Sequence, residues 1–196
     1  MSAVTVDLGP ADGLGWDDLV RTWEQTRGPE GCTVEIVEGI VTVSPPPAKS
    51  HDSIADLVQR RLYTVIPEEW GICRTLGVAV PSRSGLFIPD LVVVPEAVVN
   101  EPGNYIPAAA AELVVEITSP YNADHDRLSK PAAYAQAGVP LYLLVDCHAP
   151  AGPTVTLYGE PTGDVYRVHT AVKAGEDVRL PAPFELTLET RDFPVG

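Results

Sequence analysis

The stretch "ELVVEITSPYNADHDRLSKPAAYAQAGVPLYLLVD", residues 112–146, constrains the fold more than any other part of the chain. Its first apolar run, residues 113–118, alternates with period two. Leu113, Val115 and Ile117 fall on one face, and Val114, Glu116 and Thr118 on the other. A helix-length segment follows to about Ala137, Gly138 closes it, and a second apolar strand ends at Asp146. Strand, helix, strand is a unit that needs a sheet for its strands and a separate layer for its helix. Glu116 is the odd residue within it, because a carboxylate on so apolar a strand requires a partner or a metal.

The flanking segments extend this pattern. Trp16, Leu19, Val20 and Trp23 recur at spacings of three and four, which predicts an amphipathic helix over residues 16–27, closed by Gly28 and Pro29. "TVEIVEGIVTVSPPP" reads as a hairpin of residues 33–37 and 40–44 across Glu38 and Gly39, with Val34 and Ile36 on one face and Glu35 on the other. Ser50 is the expected N-cap of a helix carrying Ile54, Leu57, Val58, Leu62 and Val65. Short strands are expected at 72–76 and 78–80, and Asp90 heads a valine-rich strand at 91–94. Residues 96–111, punctuated by Pro102, Gly103 and Pro107, read as a loop or lid. An antiparallel β extension is expected from about residue 150, and residues 1–15 form an N-terminal arm. The order predicts one α/β domain over residues 1–196, a mixed central sheet flanked by helices.

Charge narrows the range of functions. Lys and Arg number 13 against 27 Asp and Glu, a net charge of -14, and Arg60–Arg61 is the only adjacent basic pair. Tight, sequence-independent DNA binding through an extended basic surface is therefore not expected. Three cysteines without a CxxC pair read as reduced thiols, and His125, His148 and His169 lack the spacing of a zinc hydrolase. No run approaches the roughly 20 apolar residues of a membrane helix, and no secretory signal is evident, so the expected compartment is the cytoplasm.

Asp90 and Glu116 each sit on a valine-rich strand, and in-register pairing of the two strands would bring the carboxylates together. Two such charges repel unless a proton or a divalent cation lies between them, and oxygen ligands suit Mg²⁺ or Mn²⁺. Pro131 fits the first turn of the following helix, which places Lys130 at the helix entry, outside the α region, within reach of the acids. Asp126 is expected to cap that helix or pair with Lys130, and Arg127 to be solvated. Glu35 and His51 are supporting candidates for metal tuning or phosphate contact, with a plain surface or capping role as the equal alternative.

"FIPDLVVVP", "ELVVEITSP" and "DHDRLSKPAAYAQAGVPLYLLVD" resemble the core motifs of the Uma2 family, also called DUF820, of the PD-(D/E)XK nuclease superfamily. The segment from the hairpin to His51 resembles the family's N-terminal part, and the resemblance spans roughly residues 16–150. It implies a restriction-endonuclease-like fold and phosphodiester hydrolysis with Mg²⁺ or Mn²⁺. By it, Asp90 and Glu116 hold the metal, and Lys130 completes the catalytic set. Thr118 stands where the superfamily pattern has its lysine. DNA is the implied substrate and a homodimer the implied assembly, for which the β extension offers a candidate interface. A catalytically weak or inactive interaction module on the same fold is the alternative, favoured by the acidic charge and by Thr118.

Overall fold

The computed structural model describes residues 4–5 and 15–195. The first half of the chain forms β1 (Val4–Thr5), α1 (Trp16–Gln25), β2 (Thr33–Val37), β3 (Ile40–Ser44), α2 (Lys49–Leu62), β4 (Trp70–Cys73), β5 (Gly77–Val80), β6 (Gly85–Phe87) and β7 (Leu91–Pro95). The second half forms α3 (Glu96–Val99), β8 (Tyr105–Pro107), β9 (Leu113–Ile117), α4 (Lys130–Gln136), β10 (Leu141–Asp146), β11 (Thr154–Thr162), β12 (Val165–Lys173), β13 (Val178–Arg179) and β14 (Thr187–Leu188). The class is the mixed α/β expected: β13 pairs with β14 alone, and the other strands form two six-stranded sheets, β1-β3-β2-β6-β5-β8 and β12-β11-β10-β9-β7-β4. Each contains one parallel pair, β5 with β8 and β9 with β10, among antiparallel neighbours.

Local chemistry explains the main boundaries. Glu38 and Gly39 have φ of 51° and 81°, the mirror-image turn that suits the twist of a two-residue hairpin. α4 ends where Gly138, at φ 80°, donates to the Ala135 carbonyl while Val139 donates to that of Tyr134, so two terminal carbonyls are satisfied. The period-two faces of β9 separate two apolar layers. Leu113, Val115 and Ile117 pack with Ile54, Val58 and Leu62 of α2 and with Leu180, Phe184 and Leu186 near the C-terminus. Val114 packs on the opposite face with Ala133 and Tyr134 of α4 and with Val78, Val80 and Phe87 of the other sheet. Glu116 belongs to this second face, between sheet and helix.

Three expectations change. α2 begins at Lys49 with Ala48 as an extended N-cap residue, because the helix starts as soon as the proline run ends; Ser50 lies inside the first turn. Residues 96–111 contain α3 and β8 rather than a lid, and Ile106 pairs with Val78. Prolines there bound short elements instead of excluding them. Lys130 is helical, at φ -66° and ψ -47°, and its N–H bonds the His125 carbonyl across a π turn, His125–Ser129. The wide turn makes room for the Pro131 ring, which would otherwise meet the carbonyl four residues back, so the helical run continues through the proline. β11 and β12 extend the second sheet directly from β10. Of the N-terminal arm, Val4 and Thr5 pair with Val43 and Thr42, and the rest up to residue 14 lies outside the described residues.

Candidate active site

Leu91 of β7 stands opposite Val115 of β9 in an antiparallel pair, so one further step in register brings Asp90 opposite Glu116. Asp90 Oδ2 accepts the Ile117 N–H at 2.7 Å and lies 3.2 Å from His51 Nε2. The same His51 nitrogen lies 3.0 Å from the Ile117 carbonyl oxygen. Both neighbours are acceptors, so Nε2 carries the hydrogen. Burial alone would lower the His51 pKa, but the hydrogen bond and charge of Asp90, helped by the Ile117 carbonyl, raise it. Among the described residues, buried His51 Nδ1 finds no hydrogen-bond partner.

Behind this pair lies a cluster built around one ammonium. Lys130 Nζ is 2.9 Å from Glu116 Oε1, 3.0 Å from Asp126 Oδ1 and 3.2 Å from Glu35 Oε1, and its side chain is 1% exposed. Tyr134 donates its hydroxyl to Glu116 Oε1 at 3.2 Å, and Glu35 Oε1 also accepts the Ile88 N–H at 2.8 Å. Among the described residues, none makes a well-directed hydrogen bond to either Asp126 oxygen. Three carboxylates thus share a single buried cation. Burial pushes the Asp126 carboxyl up to about 6 despite Lys130, and the charges of Glu35 and Asp90 add to the rise. Burial likewise raises Glu116 well above the usual carboxylate range against the pull of Lys130, with Asp126, Asp90 and Glu35 contributing. For Lys130 burial works toward neutrality, yet Asp126, Glu116 and Glu35 outweigh it and keep the ammonium charged.

A second acid ends the neighbouring strand, where Leu144 of β10 is opposite Glu116. Asp146 accepts from Arg127 Nε at 2.7 Å, Arg127 Nη2 at 2.9 Å, Thr118 Oγ1 at 3.1 Å and the His148 N–H at 3.1 Å. Burial acts to raise its pKa, but the Arg127 bonds, the His148 N–H and the Thr118 hydroxyl lower it. The expectation that Arg127 is solvated is therefore corrected: a nearby buried carboxylate captures it. Thr118, which stands in the lysine position of the superfamily pattern, belongs to this network, while the ammonium reaches Glu116 from the helix.

The donor set fits a divalent cation in chemistry. Among the described residues, Asp90 Oδ1 and Glu116 Oε2 accept no hydrogen bond, and the acids around Lys130 carry more negative charge than one ammonium offsets. No group of three or more His, Cys, Asp or Glu among the described residues is already disposed to hold a metal. All six residues singled out in the sequence thus gather in one region, linked through Lys130 or through the end of β9. Sequence reasoning missed Tyr134, which helical spacing from Lys130 would have found, and Asp146, which ends an apolar strand as Glu116 nearly does. Of the supporting candidates, Glu35 is buried and paired with Lys130, and Asp126 pairs with that lysine.

Acids at the ends of adjacent strands, in a mixed sheet covered by helices, define a nuclease-like α/β architecture. A solved structure from Anabaena variabilis ATCC 29413, described as "a putative nuclease belonging to DUF820", matches with a TM-score of 0.70 and 18% identity, over 92% of this chain and 97% of that one. That likeness shows a fold shared by the two chains. The Uma2 family model, described as "Putative restriction endonuclease", matches residues 16–193, and the chain belongs to this family. A search of curated proteins finds no match. No helix among the described residues is long and apolar enough to cross a membrane.

Proposed function

We propose that the chain is a divalent-metal-dependent endonuclease that hydrolyses phosphodiester bonds of DNA. The carrying observation is the juxtaposition of Asp90 and Glu116 on paired strands, each with an uncommitted oxygen, beside the Lys130 ammonium. The family description supports the reaction class. Asp90 and Glu116 would hold Mg²⁺ or Mn²⁺, which supplies Lewis acidity and a water of lowered pKa when bound. Lys130 holds Glu116 through Oε1, a role different from direct contact with substrate, since its ammonium is enclosed by acids. Tyr134 fixes the same oxygen, and Glu35 and Asp126 anchor the ammonium. His51, whose Nε2–H is bonded to Asp90, orients that carboxylate.

Plasmid incubated with the protein and Mn²⁺ should be nicked or linearised, and neither chelated samples nor the Asp90→Ala variant should cut. Equal cutting by the variant and the wild type would overturn the assignment. A second reading, a nuclease fold used for binding alone, is favoured by the enclosure of Lys130 and by the absence of a preformed three-residue metal group among the described residues. Calorimetric titration with Mn²⁺ separates the two. Saturable binding lost in Glu116→Gln supports the enzyme, and no binding by the wild type supports the module.

A further inference from the structure

The π turn that delivers Asp126 and Lys130 to the acid cluster has an unusual hydrogen-bond deficit. Within a helical run the Asp126 carbonyl would accept from the N–H of residue 130 or 131. Lys130 N–H is bonded to His125, and residue 131 is a proline without an N–H. A buried carbonyl left in this way is costly. Tyr142, the second residue of β10 and fully buried, donates its hydroxyl to this carbonyl at 2.7 Å. The Tyr142 ring is fixed between those of Tyr134 and Tyr158, at centroid distances of 5.4 and 5.5 Å, so the hydroxyl is aimed by packing. One neighbour in this stack, Tyr134, is the residue that donates to Glu116.

We propose that Tyr142 is a positioning residue of the nuclease site: its hydroxyl replaces the backbone donor missing at Pro131 and so locks the π turn in the register that sets Lys130 against Glu116. The Asp126 carboxylate and the Asp126 carbonyl then serve one end, the first holding the ammonium and the second holding the turn. A normal α-turn would shift the residues upstream of it by about 100° around the helix axis and turn Asp126 away from Lys130. This inference rests on the nuclease reading for its effect on turnover, but the lock itself does not.

The test uses Tyr142→Phe, which keeps the ring, and the pair Tyr142→Phe with Pro131→Ala, which restores an N–H at position 131. Amide exchange over residues 123–136 is followed by mass spectrometry, and plasmid cleavage with Mn²⁺ is measured well below the melting temperature. Tyr142→Phe should speed exchange in this segment and lower kcat roughly tenfold with KM within about twofold, the scale of one lost hydrogen bond. The double variant should recover much of both. Unchanged exchange in Tyr142→Phe overturns the lock. Faster exchange with unchanged kcat in the folded variant overturns the positioning role, and failure of Pro131→Ala to rescue overturns the replacement of the backbone donor. A wild type that does not cleave removes the nuclease reading and the positioning role with it, while the exchange data still decide the lock.

Discussion

Two acidic centres lie side by side at the ends of β9 and β10, and they treat charge in opposite ways. Asp146 has four donors from Arg127, Thr118 and His148, and its pKa is lowered. Glu116, Asp126 and Glu35 divide one ammonium, and the first two are raised. Both centres take their cation from the same turn, Arg127 and Lys130 being three residues apart. A satisfied network stabilises a fold and has nothing left to offer a ligand. A surplus of buried carboxylate is a cost that a metal or a proton would relieve, which supports the proposal that puts function at the Lys130 centre.

Removing the two cations measures the contrast most strongly. Lys130→Met leaves three carboxylates in an apolar enclosure and should cost about 3–5 kcal/mol of stability near neutral pH. The loss should shrink as the pH falls, because the acids take up protons in place of the ammonium. Arg127→Met, at a partly exposed pair, should cost less, about 1–3 kcal/mol. Denaturant melts at several pH values check both, and equal losses with the same pH dependence would erase the distinction.

Asp126→Asn isolates the surplus charge. The folded carboxyl titrates at about 6, above its ordinary 3.8, so its contribution to stability is full below pH 3.8 and is lost as pH rises through about 6. Relative to the asparagine variant, the wild type should therefore lose on the order of 3 kcal/mol between pH 4 and 7. A flat difference across that range would mean that Lys130 neutralises Asp126 fully. Asp146→Asn should show the opposite slope, since its folded pKa is lowered and its stabilisation disappears as pH falls.

Activity and stability should also separate between the centres. Glu116→Gln should reduce cleavage by at least about a hundredfold, on the scale of lost metal ligation, with stability held or raised because a penalised buried charge is gone. Asp146→Asn should lower stability by about 1.5–3 kcal/mol and leave cleavage within a few-fold. Turnover measured beside thermal melts checks the pair of outcomes. If Asp146→Asn is the more damaging to turnover, the functional and the supporting acids have been interchanged.

Much of this arrangement was legible in the sequence. Period-two alternation put Glu116 on the face opposite Val115, and the valine-rich runs put Asp90 at the head of a second strand. The hairpin could be read to the residue, since Glu38 and Gly39 sit in a turn that demands positive φ. Lys130 was placed at a helix entry by the rule for residues before proline, and it proved helical because a π turn accommodates the ring. That rule describes an isolated dipeptide, whereas here Tyr142, from a strand that follows the helix, supplies the missing donor. Arg127 was read as solvated because its partner, Asp146, is 19 residues away and meets it only through the parallel pairing of β9 with β10. Local pattern specifies which face a residue occupies, and tertiary pairing decides which charges meet.

The smallest effect expected belongs to Thr118. Its hydroxyl supplies one of the four hydrogen bonds to Asp146, and that acid keeps both Arg127 contacts and the His148 N–H without it. Thr118→Val should thus cost about 1 kcal/mol in denaturant melts and leave cleavage within about twofold. A lysine at this position would bring a second cation to a carboxylate already paired with a guanidinium, whereas Lys130 meets acids that lack one. A large loss of cleavage in Thr118→Val, without a matching loss of stability, would instead put this hydroxyl in contact with the reacting groups and merge the two centres into one.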